Sequence, residues 1–341
     1  MRAGLGYEYL SFQEQQVYKV MLKAFSSFAG SFPCPQIGRG VDLMKVLHTV
    51  LGDNPSVIYF DRMNIQTVTS ILEKRVDLTG VCSREQAEKA AMSLEETADK
   101  IVSLVRAEGG NEYSRLLKLY ELLQKNIKYD HDELKAVSRG TSKNPVSHNA
   151  YGALIHKKAV CDGFSSAFAL LAQKLGFECM MVVGRSAYAA ASFTEHAWNV
   201  IKIKRKYYHM DLTWDARKFD SFKEFSYEYF ALTGEELSRD HSWDKKAVPL
   251  CSDRNYSYYS KNGLYADNTE ELKKIVKAIN KKNADVFRLK ISRNIKLPDN
   301  DGDYLSQVVL DEVTRPGMRS RASYSWNENT RCFFARVSFS T

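Results

Sequence analysis

Asn149-Ala-Tyr-Gly-Ala-Leu-Ile-His-Lys-Lys-Ala-Val-Cys161-Asp-Gly-Phe164 is followed by a helical pattern, then by Glu195-His196-Ala-Trp-Asn199, then by His209-Met-Asp211-Leu-Thr-Trp-Asp215. Behind Cys161, the residues Phe164, Ala167, Phe168, Leu171 and Leu175 recur at helical spacing until Gly176. The spacing predicts a helix with Cys161 at or near its N-terminus. A thiol in that position meets backbone N–H groups that have no partner within the helix, together with the positive end of the helix dipole. Both favour the thiolate, which is the nucleophilic form.

Downstream, Glu178 to Val183 predicts a short apolar strand ending at Gly184, and Arg185 to Thr194 a loop rich in Ala and Ser. Ala197 to Ile203 and Lys206 to Trp214 predict a β-hairpin turning at Lys204-Arg205. With Ile203 opposite Lys206, alternation gathers Ala197, Ile201, Ile203, Tyr208, Met210, Leu212 and Trp214 on one apolar face. The other face carries His196 and Trp198 with His209, Asp211, Thr213 and Asp215, so a carboxylate falls within cross-strand or diagonal reach of the His196 imidazole. Pairing alone prefers neither Asp211 nor Asp215. A single intracellular cysteine is more often a small buried residue than a catalyst, and a single histidine at a strand start is more often structural. The combination alters that balance, because nucleophile, base and orienting carboxylate are the parts that covalent acyl transfer requires.

Asn149-Ala-Tyr-Gly-Ala-Leu, Ala159-Val-Cys161-Asp-Gly-Phe, His196-Ala-Trp-Asn and Asp211-Leu-Thr-Trp-Asp resemble, in order, the motifs of the transglutaminase-like superfamily, in its bacterial branch. The resemblance covers about Tyr113 to Asp215. It implies an α+β, papain-like core in which the Cys-bearing helix packs on an antiparallel sheet carrying the His and Asp. It also implies that Cys161 is the nucleophile, His196 the general base and acid, and Asp211 the orienting carboxylate, the family's aspartate being the one in Asp-x-Thr. Asp215, past Trp214 at the strand end, is expected to be screened by solvent.

Around this core, Ser11-Phe-Gln-Glu14 and Ser83-Arg-Glu-Gln86 are capping boxes that open amphipathic helices, and Glu108-Gly-Gly110 ends the second of them. Between them, Val57 to Phe60 and Ile65 to Leu72 are expected to form a strand pair. Asn111 opens a helix with Leu116, Leu119, Tyr120 and Leu123 inward. These signals divide the chain into a mainly helical N-terminal region (1–110), a catalytic core (111–249) and a small C-terminal α/β module (250–341). In the last, Tyr256 to Tyr259 is expected to be a strand, Thr269 to cap a helix, and Ala322 to Trp326 to pair with Arg331 to Phe339.

Several function classes are excluded or disfavoured. The 341 residues carry a formal charge of +8 with Lys and Arg scattered along the chain, and no nucleic-acid motif is present. Cysteines 34, 82, 161, 179, 251 and 332 show neither zinc spacing nor a disulfide framework. Peptide N-glycanases, which share the core, are expected to carry paired zinc cysteines. His131 between Asp130 and Asp132 is a weak metal candidate, since contiguous residues cannot all face one ion. Asp299-Asn-Asp301-Gly-Asp303 fails the calcium-loop template, because Leu297 and Val308 occupy its first and twelfth positions. No apolar leader or membrane-length run occurs, so a cytoplasmic location is expected. The expected activity is attack of Cys161 on amide carbonyls of protein or peptide substrates, without metal or cofactor. The Cys161 N–H would serve the oxyanion, with Asn149 and Tyr151 as candidates for a second donor. Hydrolysis by a protease or deamidase is preferred, since the sequence displays no calcium loop or amine-binding feature; transglutaminase cross-linking and a non-catalytic peptide-binding scaffold are the alternatives.

Overall fold

The computed structural model describes the chain apart from residues 2, 39, 71, 72, 81, 188–193, 283, 315–318 and 341, and describes 61–64 by backbone alone. It comprises two compact units, Met1–Tyr229 with Asp240–Asp253, and Phe230–Arg239 with Arg254–Thr341.

The first unit opens with α1 (Phe12–Ser27), β1 (Ser31–Pro33), α2 (Leu43–Asp53), β2 (Phe60–Thr69), β3 (Lys74–Gly80) and α3 (Arg84–Ala107). Both capping boxes form as the sequence predicts, Ser11 with Glu14 and Ser83 with Gln86. The expected strand pairing is different. One bulged strand, β2, lies between Phe60 and Thr69 and pairs with β3, in a sheet ordered β1-β3-β2. Val57 to Tyr59 stay outside the ladder because their side chains pack instead: Val57 is buried in the α1–α2 core, and the Tyr59 ring stacks on Phe28 at 4.1 Å. Leu72, the expected end of the second strand, lies outside the described residues.

The chain continues through α4 (Glu112–Asn126), β4 (Lys128–Tyr129), α5 (His131–Val137), α6 (Ala150–Leu154), β5 (Lys158–Ala159) and α7 (Cys161–Lys174). It then forms β6 (Cys179–Ser186), β7 (Thr194–Ile203), β8 (Lys206–Met210) and α8 (Leu212–Phe222). Within the first unit, β10 (His241–Ser242), β6, β7 and β8 lie side by side in that order, all antiparallel. Helix α7 packs on β7, where the buried Asn199 side chain donates to the Ser165 carbonyl at 3.0 Å. The core is therefore the expected α+β arrangement of a Cys-bearing helix on an antiparallel sheet.

The hairpin register is the predicted one, with Ile203 opposite Lys206 and Val200 opposite His209. Its second strand is shorter than predicted. It ends at Met210, where Asp211 caps α8 by accepting the Trp214 N–H at 3.2 Å. Aspartate is among the strongest N-caps, and once its side chain satisfies a first-turn donor the backbone continues as helix rather than strand. The alternation read through Thr213 and Asp215 therefore does not apply.

Two glycines allow close approaches that position the site. A Cβ on Gly163, in the first turn of α7, would lie 2.3 Å from the Ser147 carbonyl. A Cβ on Gly184 in β6 would lie 2.4 Å from the Ser242 carbonyl of β10 and 2.7 Å from the Trp198 ring.

The second unit contains β9 (Phe230–Leu232), α9 (Gly234–Leu237), α10 (Tyr258–Lys261), β11 (Tyr265–Ala266), α11 (Thr269–Asn280), β12 (Val286–Ile291), α12 (Asp301–Val313), β13 (Arg319–Asn327) and β14 (Cys332–Ser340). Its sheet runs β11-β12-β14-β13 over a core that includes Leu272, Val276, Phe287, Leu289, Val309 and Phe333. The terminal hairpin forms as predicted. Tyr256 to Tyr259 is not a strand: the Ser257 side chain accepts the Ser260 N–H, as an N-cap does, and starts a short helix. Asn268 rather than Thr269 caps α11.

Candidate active site

Cys161 is the first residue of α7, with Val160 at the N-cap position. The approach to it is set by backbone hydrogen bonds to distant segments of the chain. The Val160 N–H donates to the Ser147 carbonyl at 3.0 Å, and Asp130 N–H to the Ala159 carbonyl at 2.8 Å, beside the parallel pair β4–β5. The sulfur is half-buried and accepts from the backbone N–H of Ala197, the residue next to His196. On its other side the thiol donates to Asp162 Oδ1 at 3.3 Å.

The helix-start argument for a preformed thiolate meets opposing effects. Burial and the neighbouring Asp162 carboxylate push the Cys161 thiol well above its ordinary range, against the pull of the Ala197 N–H. Asp162 is itself held by a second histidine. Its Oδ2 lies 3.0 Å from His148 Nδ1, and His148 Nε2 lies 3.2 Å from Glu133 Oε1.

His196 and Asp211 meet as predicted, with His196 Nε2 and Asp211 Oδ2 2.7 Å apart and both residues buried. Asp211 comes from the junction of β8 and α8, and its Oδ1 is the acceptor that caps the helix. Burial alone would raise this carboxyl, but His196 and His241 bring it below the usual carboxylate range.

Asp215 is placed elsewhere. Rather than lying screened at a strand end, it is wholly buried in the first turn of α8. Its Oδ1 accepts from Ser226 Oγ (2.5 Å) and Glu228 N–H (3.1 Å), and its Oδ2 from Tyr120 Oη (2.7 Å) and Tyr229 N–H (3.0 Å). Burial, with Glu228 adding to it, pushes its pKa up to about 7 despite these donors. The sequence suggested exposure because it placed residue 215 on a strand that does not extend that far.

The other sequence candidates have separate roles. Asn149 does not face the sulfur with its amide: its Oδ1 caps α6 by accepting from Tyr151 and Gly152, and its Nδ2 donates to the Ile58 carbonyl at 3.1 Å. The Tyr151 ring packs on His156, with centroids 5.1 Å apart. His209 Nδ1 accepts from Trp198 Nε1 at 3.1 Å, and burial lowers its pKa to about 3, so it is a neutral acceptor within the sheet. His131 is exposed at the start of α5.

Three residues of the site were not anticipated from the sequence. His241 Nε2 lies 3.1 Å from the same Asp211 Oδ2 that His196 reaches, and its Nδ1 lies 2.6 Å from Asp240 Oδ1. Asp240 Oδ2 accepts from Tyr229 Oη at 2.8 Å. The rings of Trp198 and Trp214 wall this network, their centroids 5.0 and 4.6 Å from that of His241. The third is Tyr129, whose phenol interacts electrostatically with Cys161, Asp162 and Asp211 and whose ring stacks on Phe164. Nothing in the periodicity or the spacing marked any of the three.

Among the described residues, His196, Asp211 and His241 form the one group of three whose potential ligand atoms lie within 4.8 Å of one another. The 2.7 Å His196–Asp211 separation is that of a charge-assisted hydrogen bond. Two ligands on one tetrahedral zinc ion would stand about 3.3 Å apart. The arrangement is thus a hydrogen-bonded relay.

The family profile described as "Transglutaminase-like superfamily" matches residues 98–212. The Kyphoscoliosis peptidase of Homo sapiens is 24% identical over 179 residues, and that of Mus musculus 22% identical over 191. The matched part is 49% of this chain and 26% of the human protein, and 52% and 28% for the mouse protein, so the chain spans about a quarter of these relatives' length. Among solved structures, a TGase is similar with a TM-score of 0.34 and 14% identity, over 48% of this chain and 49% of that one.

Proposed function

We propose that this chain, whose residues 98–212 match the transglutaminase-like superfamily profile, is a cysteine-dependent enzyme that cleaves amide bonds of protein or peptide substrates through a Cys161 thioester. The observation that carries the proposal is the 2.7 Å His196–Asp211 bond beside a thiol held against the Ala197 N–H. With Nε2 committed to Asp211, Nδ1 is the imidazole nitrogen for proton exchange with Cys161.

The raised thiol favours attack with concerted proton removal over a resting ion pair. Cys161 Sγ bonds to the carbonyl carbon as its proton moves to His196 Nδ1. The C–N bond then breaks, and the leaving nitrogen takes that proton. Water, giving a proton back to His196, cleaves the thioester to a carboxylic acid and restores the thiol. Asp211 holds the ring in the tautomer these steps need. The first-turn N–H groups of α7, that of Cys161 among them, lack partners within the helix and would serve the oxyanion.

Hydrolysis is preferred to amine transfer because the curated relatives are named peptidases. Mass spectrometry of a peptide library incubated with the protein, with and without a primary amine, tests the reading. Cleaved or deamidated peptides that require Cys161 support it; amine-linked products in their place would make the chain a cross-linking enzyme.

A further inference from the structure

We propose that His241 is a positioning residue for this triad: by sharing Asp211 Oδ2 with His196 as a buried counter-ion, it limits how strongly Asp211 draws a proton onto His196. The inference rests on the reading of Cys161 and His196 given above.

The geometry fixes the state of the His241 ring. Both of its nitrogens face carboxylate oxygens, Nδ1 that of Asp240 at 2.6 Å and Nε2 that of Asp211 at 3.1 Å. A neutral imidazole has one N–H and would aim a lone pair at one of these anions; an imidazolium has a proton for each. Burial of the ring works against the charge, but Asp211 and Asp240 together raise its pKa. The His241 and Asp211 side chains are fully buried, so water screens little of the interaction.

The other groups around the ring are accounted for. His196 on β7 has its centroid 5.3 Å away, and Tyr229 has its own at 5.8 Å and binds Asp240. His209 on β8 is held neutral, with His241 contributing to its lowered pKa. Arg185 on β6 pairs along the backbone with Ser242. The charges thus alternate from Asp240 through His241 to Asp211. His196 therefore faces a carboxylate already neutralised from behind, which suits a base that must be empty before it takes the thiol proton.

The test is the pH dependence of Cys161 alkylation by iodoacetamide, with thiolate absorbance read in parallel, in the native chain and in His241→Gln, His196→Ala and Asp240→Asn. Glutamine can still donate to Asp211 but carries no charge. His241→Gln should therefore move the acid limb of the profile up by about one pH unit, a decrease of roughly tenfold in rate below the native midpoint. Asp240→Asn should move it the same way by less. An unchanged profile in a folded His241→Gln protein overturns the inference while leaving the triad intact, provided His196→Ala does alter the profile. If His196→Ala changes nothing, the Cys161–His196 reading fails and takes this inference with it. A measurement on the native protein needs no variant to fold: proton–nitrogen correlation spectra at neutral pH should show two ring N–H protons on His241, and finding one would overturn the proposal.

Discussion

Asp211 and Asp215 are four residues apart at the start of one helix and equally buried, yet their carboxyls move in opposite directions. Asp211 has two imidazoles on one oxygen and lies below the usual range. Asp215 has four donors, none of them a cation, and is raised to about 7. Burial is common to both, so it does not decide the outcome. The difference is a neighbour that can carry positive charge: with one, a buried carboxylate is kept ionised and can orient a base, and without one it becomes a structural tie.

The comparison breaks most visibly at Asp211. Replacing it by asparagine should lower the rate of Cys161 acylation by an activated ester on the order of a hundredfold or more, with circular dichroism showing that the fold persists. Asp215→Ala should act on stability: it strands buried donors from Tyr120, Ser226, Glu228 and Tyr229 and should cost about 3 kcal/mol in denaturant unfolding. A loss of acylation as large as that of Asp211→Asn, in protein still folded, would erase the distinction.

The pH dependence has opposite signs at the two sites. The folded pKa of Asp215 lies above its unfolded value, so its stabilising contribution is complete below about pH 4 and is lost as pH rises towards 7. The Asp211 contribution is present above about pH 4 and is lost on acidification. Melting temperature against pH should therefore fall less steeply between about pH 4 and 7 in Asp215→Asn than in the native chain. The smallest expected effect is on the far side of the thiol. Asp162→Asn removes the carboxylate that the Cys161 thiol donates to, and should lower the midpoint of the alkylation profile by about one unit or less.

Much of this was legible in the sequence, for physical reasons that also mark the limits. Cys161 at a helix start and the Ile203–Lys206 register follow from local periodicity and from alternation across one short turn, whereas Asp211 as the partner of His196 comes from the family resemblance, alternation leaving Asp215 equally open. Leu212-Thr-Trp-Asp215 alternates like a strand, and only the capping power of Asp211 shows where alternation must stop. The protonation of Cys161 depends on Asp162 and on burial, which neighbouring sequence suggests only in part. His241 lay beyond reach because the two-residue strand that delivers it has no period to detect, and its partner Asp211 is 30 positions away.

Gly184 gives this part of the sheet its mechanical tolerance. Ser242, whose carbonyl lies 2.4 Å from where a Cβ on Gly184 would sit, directly follows His241. An added methyl would meet that backbone oxygen on one side and the Trp198 ring on the other, and a two-residue strand is the part with least to hold it in place. The His241–Asp211 contact is already 3.1 Å long, so a displacement of about half an ångström outward would take it past hydrogen-bonding range. One absent methyl group, on a residue that bears no charge, thus sets the gauge of the electrostatic connection between β10 and Asp211.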